Sequence, residues 1–127
     1  MKTKTVCDAD ASDLSKEMVG KSIVRIDEEK STIALNDGTV LELESDFGCC
    51  AWFEVMSMKA IDVEDNVITA VNNEDSTLKN GDRSSGAFDI VVLSRQKEIA
   101  RVQIDGDPTS GYYCSSVRMV VRKINDD

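Results

Sequence analysis

The residue type most versatile in catalysis is missing: the 127-residue chain contains no histidine. That removes Ser–His and Cys–His nucleophile pairs, imidazole metal ligands and the commonest base near neutral pH. Carboxylates, lysines, tyrosines and four cysteines remain. Cys49 and Cys50 are adjacent. A zinc knuckle spaces its cysteines so that both sulfurs converge on one ion, whereas neighbours on a strand point to opposite faces. The tandem therefore reads as a small apolar core residue and its neighbour rather than a metal or redox site. Asp105-Gly106-Asp107 looks like part of a calcium loop but lacks the remaining ligands and the closing glutamate. Together with Pro108 it reads as a turn between strands. Gly81 and Gly86 sit in a polar stretch with no helix after it, so no phosphate-cradling loop is present. No catalytic residue, metal or cofactor is expected.

Binding chemistry fares better. Gly111-Tyr112-Tyr113-Cys114 holds both tyrosines of the chain, and a tyrosine pair offers flat stacking surface with hydroxyl donors. With Arg101, Arg118 and Arg122 as phosphate partners, Tyr112 or Tyr113 would suit a nucleotide. Asp62, Glu64, Asp65, Glu74 and Asp75 offer acidic side chains suited to a basic protein surface.

The elements that must position these residues follow from periodicity. Ala11 to Gly20 predicts a short helix, with Asp10 or Ser12 as N-cap, Leu14, Met18 and Val19 on the apolar stripe, and Gly20 as a left-handed stop. From Lys21 the period changes to two. Ser22–Asp27, with Val24 and Ile26 on one face, is followed by a turn at Glu28–Ser31. Thr32–Leu35 and Thr39–Leu43 flank Asn36-Asp37-Gly38, whose Asp-Gly pair supplies the positive φ angles of a hairpin. Trp52–Ala60 and Asn66–Val71 predict a second pair around the acidic turn Asp62–Asp65. Residues 72–86 are polar and aperiodic, long for a compact domain, and read as a mobile or functional loop. Phe88–Ser94 and Glu98–Asp105 form a further pair, and Ser116–Ile124 is the last strand, with Val117, Met119 and Val121 inward and Arg118 and Arg122 outward. The fold expected is α+β and β-rich: one antiparallel sheet or a small barrel-like meander with one short N-terminal helix. Residues 1–127 form a single domain whose first ten residues are flexible.

Composition bounds the setting. Apolar residues make up 41% of the chain, enough for one core without disulfides. No apolar run approaches the roughly 20 residues needed to cross a bilayer, and no secretory signal opens the chain. Reduced thiols in a cytoplasm follow. The net charge of −9 repels nucleic acid phosphate and favours basic partners.

Several of these pieces in order resemble a family of small uncharacterised proteins found largely in bacteriophages and the bacteria they infect. The resemblance runs from Gly20 to Val121. It is carried by Gly20-Lys21-Ser22-Ile23, the Asp37-Gly38 hairpin, Cys49-Cys50, and Val102-Gln103-Ile104-Asp105-Gly106 followed by Ser110-Gly111-Tyr112-Tyr113-Cys114-Ser115. Gly48 and Ala51 flank the cysteines where the family has Asp and Glu, and Cys114 stands where it has serine. The resemblance implies a phage or prophage setting and brings no activity with it. The expectation is a non-catalytic phage-type accessory protein in the bacterial cytoplasm. It would bind and inhibit a host or anti-phage defence protein with a basic surface through Asp62, Glu64, Asp65, Glu74 and Asp75. No direct nucleic acid contact and no membrane are involved, and a homo-oligomer is compatible. A protein that sequesters a nucleotide signal is the alternative, and a cysteine- or carboxylate-dependent enzyme a distant third.

Overall fold

The computed structural model describes residues 2–47, 52–82, 84–107 and 117–123. Strand β1, Lys2–Val6, precedes helix α1, Ala11–Met18. Asp10 is the N-cap: its Oδ1 accepts from the backbone N–H of Ser12 at 2.9 Å, and Asp13 returns a carboxylate to the Asp10 N–H at 3.1 Å, a capping box. The helix stops two residues earlier than the periodicity predicts, because Val19 is already extended and Gly20 turns the chain with φ +90°. Ala11, Leu14 and Met18 fall on one face and are buried.

Among the described residues nine more strands follow: β2 Ile23–Asp27, β3 Thr32–Leu35, β4 Val40–Glu44, β5 Asp46–Phe47, β6 Trp52–Ala60, β7 Ala70–Asp75, β8 Phe88–Ser94, β9 Lys97–Asp107 and β10 Arg118–Lys123. They form two five-stranded antiparallel sheets, ordered β1-β10-β4-β3-β2 and β5-β6-β9-β8-β7. The β-rich antiparallel architecture with one short helix is the one expected, divided between two sheets rather than closed as a barrel. Alternate residues of both sheets meet in one core. Ile33, Leu41, Met119 and Val121 come from the first sheet, and Phe53, Ile90, Val92, Val102 and Ile104 from the second, with Leu14 and Met18 of the helix against them. An antiparallel bridge from Ser22 to Val67 ties the sheets at one side, reinforced by the Ile68 N–H donating to the Lys21 carbonyl at 2.8 Å.

Several local readings are corrected. Lys2–Val6, expected to be flexible, is the edge strand beside β10. Asn66–Val71 does not pair with β6. Residues 61–69 instead cross the end of the second sheet, with Ile61 and Asp62 N–H groups donating to the Ile99 carbonyl. Strand β6 pairs with the eleven-residue β9, and β7 with β8. Asn72–Asp75, read as the start of a loop, are the outer half of β7. Asp105-Gly106-Asp107, read as a turn, ends β9. In the Asn36-Asp37-Gly38 connection only Gly38 takes a positive φ, +91°, as in a three-residue hairpin loop. Val24 and Ile26 do not share a face either: Val24 is the extra residue of a β-bulge between Ile23 and Arg25, and it is 65% exposed.

Candidate functional site

Strand β9 presents Ala100, Val102 and Ile104 to the core, so Arg101, Gln103 and Asp105 lie on the opposite face of the second sheet. On that face the register sets Asp89 opposite Gln103, Glu74 opposite Asp89, and Ser57 opposite Gln103 from the other side. These polar groups form one connected network. Arg101 Nη1 donates to Asp89 Oδ2 at 2.6 Å, its Nε and Nη2 hold Glu98 in a bidentate fork at 2.8 Å each, and Nη2 reaches Glu74 at 3.4 Å. The Glu98 fork raises the guanidinium pKa. The same fork outweighs desolvation and holds the Glu98 carboxyl below its ordinary value.

The segment between β7 and β8 folds back over this network. The Thr77 N–H and hydroxyl donate to Asp89 Oδ2 at 3.3 and 2.5 Å, and the Thr77 hydroxyl accepts from Gln103 Nε2 at 2.8 Å. The Ser57 hydroxyl donates to Gln103 Oε1 at 2.5 Å, and the Ser84 N–H donates to Asp105 Oδ1 at 2.7 Å. Thr77 and Ser84, from the aperiodic stretch, are therefore anchored at two buried aspartates. Asp89 is 0% exposed and Asp105 6%. Sequence reasoning assigned Asp105 to a turn and passed over Asp89, although an aspartate inside the apolar run Phe88–Leu93 is itself a signal, since a buried carboxylate must find partners.

The three arginines expected to hold a phosphate do not converge. Arg101 lies on the second sheet and is committed to three carboxylates. Arg118 and Arg122 lie on β10 in the first sheet, facing Glu44 at 3.9 Å and Glu42 at 2.6 Å. Tyr112, Tyr113, Cys49, Cys50 and Cys114 lie outside the described residues. Among the described residues no group of three or more metal-ligating side chains is assembled.

The five acidic residues expected to face a partner fall into two groups. Asp62, Glu64 and Asp65 follow β6 at the end of the sheet that carries the β8–β9 turn, while Glu74 and Asp75 sit toward the other end, paired with Asp89 and Phe88. Asp62 is engaged by Lys97 and Glu74 by Arg101. Among the described residues Glu64, Asp65 and Asp75 are exposed and in no ion pair.

A third carboxylate belongs to the fold rather than the surface. Glu17, on the inward side of α1, takes Lys4 of β1 at 2.9 Å and Lys123 of β10 at 3.2 Å, with only 7% of its side chain exposed. Desolvation pushes its pKa up, but the two lysines outweigh it and hold the carboxyl below its ordinary value. A folded pKa below the unfolded one means stability is fully present above the unfolded value and is lost as pH falls through the folded one. Glu17→Gln is expected to cost about 1–3 kcal/mol at pH 7 and to lose less stability than wild type between pH 5 and pH 2. Urea denaturation at stepped pH checks this; a constant difference between the two proteins across that range would contradict it.

Fold and surface together define a two-sheet antiparallel β protein with a carboxylate-rich exterior and a part-buried arginine–carboxylate network centred on Asp89. A family model described as a domain of unknown function, DUF7448, matches residues 16–119, and the protein belongs to that family. The match runs from within α1 into β10, leaving β1 outside it. No curated protein and no solved structure matches the chain. Among the described residues no helix is long and apolar enough to cross a membrane.

Proposed function

We propose that the protein is a non-catalytic binding protein of phage type that occupies and blocks a basic surface on a host or anti-phage defence protein in the bacterial cytoplasm. The observation that carries this reading is the division of the carboxylates: those that build the fold are paired, whereas Glu64, Asp65 and Asp75 stand exposed and in no ion pair among the described residues. Surplus exposed charge of one sign, on a chain of net charge −9, steers association with a surface of the opposite sign and excludes phosphate backbones. The phage setting is supported by the sequence resemblance described above. The network around Arg101 supplies rigidity to the sheet between the two acidic groups, and its arginine is already committed to protein carboxylates.

Replacing Glu64, Asp65 and Asp75 together with serine is expected to leave the fold intact, since none of them holds a described partner. Binding should weaken about tenfold at low salt, from roughly 0.5 kcal/mol for each rim charge, and its salt dependence should flatten. Titration against the purified partner at two ionic strengths checks this. Unchanged affinity and an unchanged salt slope would contradict the reading.

A further inference from the structure

The turn bearing Val63, Glu64 and Asp65 forms one wall of a cleft of about 600 Å³, and its other wall is Ser22, the start of β2 at Ile23 and Val24, and Asn36. A second cleft of about 460 Å³ adjoins it across Asp65 and includes Val67. The two are held in register by the Ser22–Val67 bridge. Two exposed aliphatic side chains line these clefts: Val24, 65% exposed, in the first, and Val67, 52% exposed, in the second. For Val24 the cause is specific. Simple alternation would place it with Ile26, and the bulge turns it out instead. An aliphatic side chain sent outward by a backbone irregularity, beside two carboxylates in no ion pair, makes a surface that is apolar in the middle and acidic at the rim.

We propose that this cleft receives an extended basic segment of the protein partner, with lysine or arginine side chains against Glu64 and Asp65 and an intervening aliphatic side chain on Val24 and Val63. The proposal rests on the reading of the acidic surface above and assigns recognition to one of its two acidic groups. Charge complementarity selects the sign of the segment, and burial of the valines supplies affinity that salt does not screen. An extended chain advances about 3.3 Å per residue with side chains on alternating sides, so charged and aliphatic residues in alternation meet the rim and the floor of the cleft separately. The aliphatic stems of the basic residues add to the cover over Val24.

The test uses the full chain, labelled with nitrogen-15, and a short peptide of alternating lysine and valine, with a peptide of alternating glutamate and valine as the control. The lysine peptide is expected to shift amide signals of residues 22–24 and 63–67, and the glutamate peptide to shift none. Glu64→Ser with Asp65→Ser should weaken the lysine peptide about tenfold, and Val24→Ser should weaken it at high salt as well as low. Shifts centred on Asp75, indifference to Val24→Ser, or no binding at millimolar peptide would overturn the proposal. Capture of the partner separates the two levels of the account. A partner released by Asp75→Ser alone overturns the cleft and leaves the acidic-surface reading standing, whereas a partner retained by every variant overturns both.

Discussion

Arg101→Met is expected to destabilise the protein by about 3–5 kcal/mol, because it leaves the Asp89 carboxylate buried without its counter-charge. Asp89 is 0% exposed, and one of its oxygens, Oδ1, has no hydrogen-bond partner among the described residues, so Arg101 Nη1 and Thr77 carry the whole compensation on Oδ2. Methionine keeps most of the volume of the stem but none of the donors. Arg101→Lys should recover only part of the loss, since a single ammonium cannot hold Glu98 in a fork and reach Asp89 as well. Exchanging the pair together, Asp89→Val with Arg101→Met, should cost less than Arg101→Met alone, because the double change removes the stranded charge. Denaturant midpoints for the three variants measure this. A loss below about 1 kcal/mol for Arg101→Met would show that the network is decorative. Arg101→Met should also increase hydrogen exchange at Thr77, because Asp89, the acceptor of its N–H, is no longer held in place by the guanidinium.

Gly106→Ala should be nearly as damaging for a steric reason. Gly106 sits directly across from Phe53 in the β6–β9 pairing, and the phenyl ring lies over it. A Cβ at position 106 would come within 2.6 Å of Phe53 Cγ and closer still to two other ring carbons. Phe53 is 1% exposed, inside the core, so a displaced ring must push on its neighbours rather than swing into solvent. Either the ring leaves its site or the strands part, at an expected cost of about 3 kcal/mol or more, which for a domain of this size lowers the melting temperature by roughly 10 °C. Phe53→Leu should be costly alone and much less so in the Gly106→Ala background, a coupling that a double-mutant cycle reads directly. Strict additivity of the two changes would contradict the contact.

How much of this was legible in the sequence depended on whether one face of a strand was dry. Trp52–Ala60 and Phe88–Ser94 match β6 and β8 to the residue, the latter as an apolar run buried on both faces, and Val117, Met119 and Val121 are buried at and within β10 as alternation predicts. Edge strands lack that signal. Lys2–Val6 and Asn72–Asp75 are exposed almost throughout, as edges guarded by polar and charged residues are, and both read as irregular. The pairing of β6 with β9 rather than with its sequence neighbour is a long-range choice that no local pattern encodes. The bulges at Val24 and Met56 shift side chains by one position with no glycine or proline to mark them. Asp105-Gly106-Asp107 has the composition of a turn, yet Gly106 is there to make room for Phe53, and Asp105 to accept from Ser84 and Gly106 N–H groups. Of the candidate site, the acidic residues were visible, but their division into paired and unpaired carboxylates was not, because Lys97 and Arg101 are set beside Asp62 and Glu74 only by the folded sheet.

The most direct test of the binding account is native mass spectrometry of the protein captured gently from bacterial lysate, run in parallel with the variant carrying Glu64→Ser, Asp65→Ser and Asp75→Ser. The account predicts a stoichiometric protein partner on the wild type that is released by raised salt and is absent or much reduced on the variant. The same partner retained equally by both proteins, or a small-molecule mass excess in place of a protein partner, would contradict it.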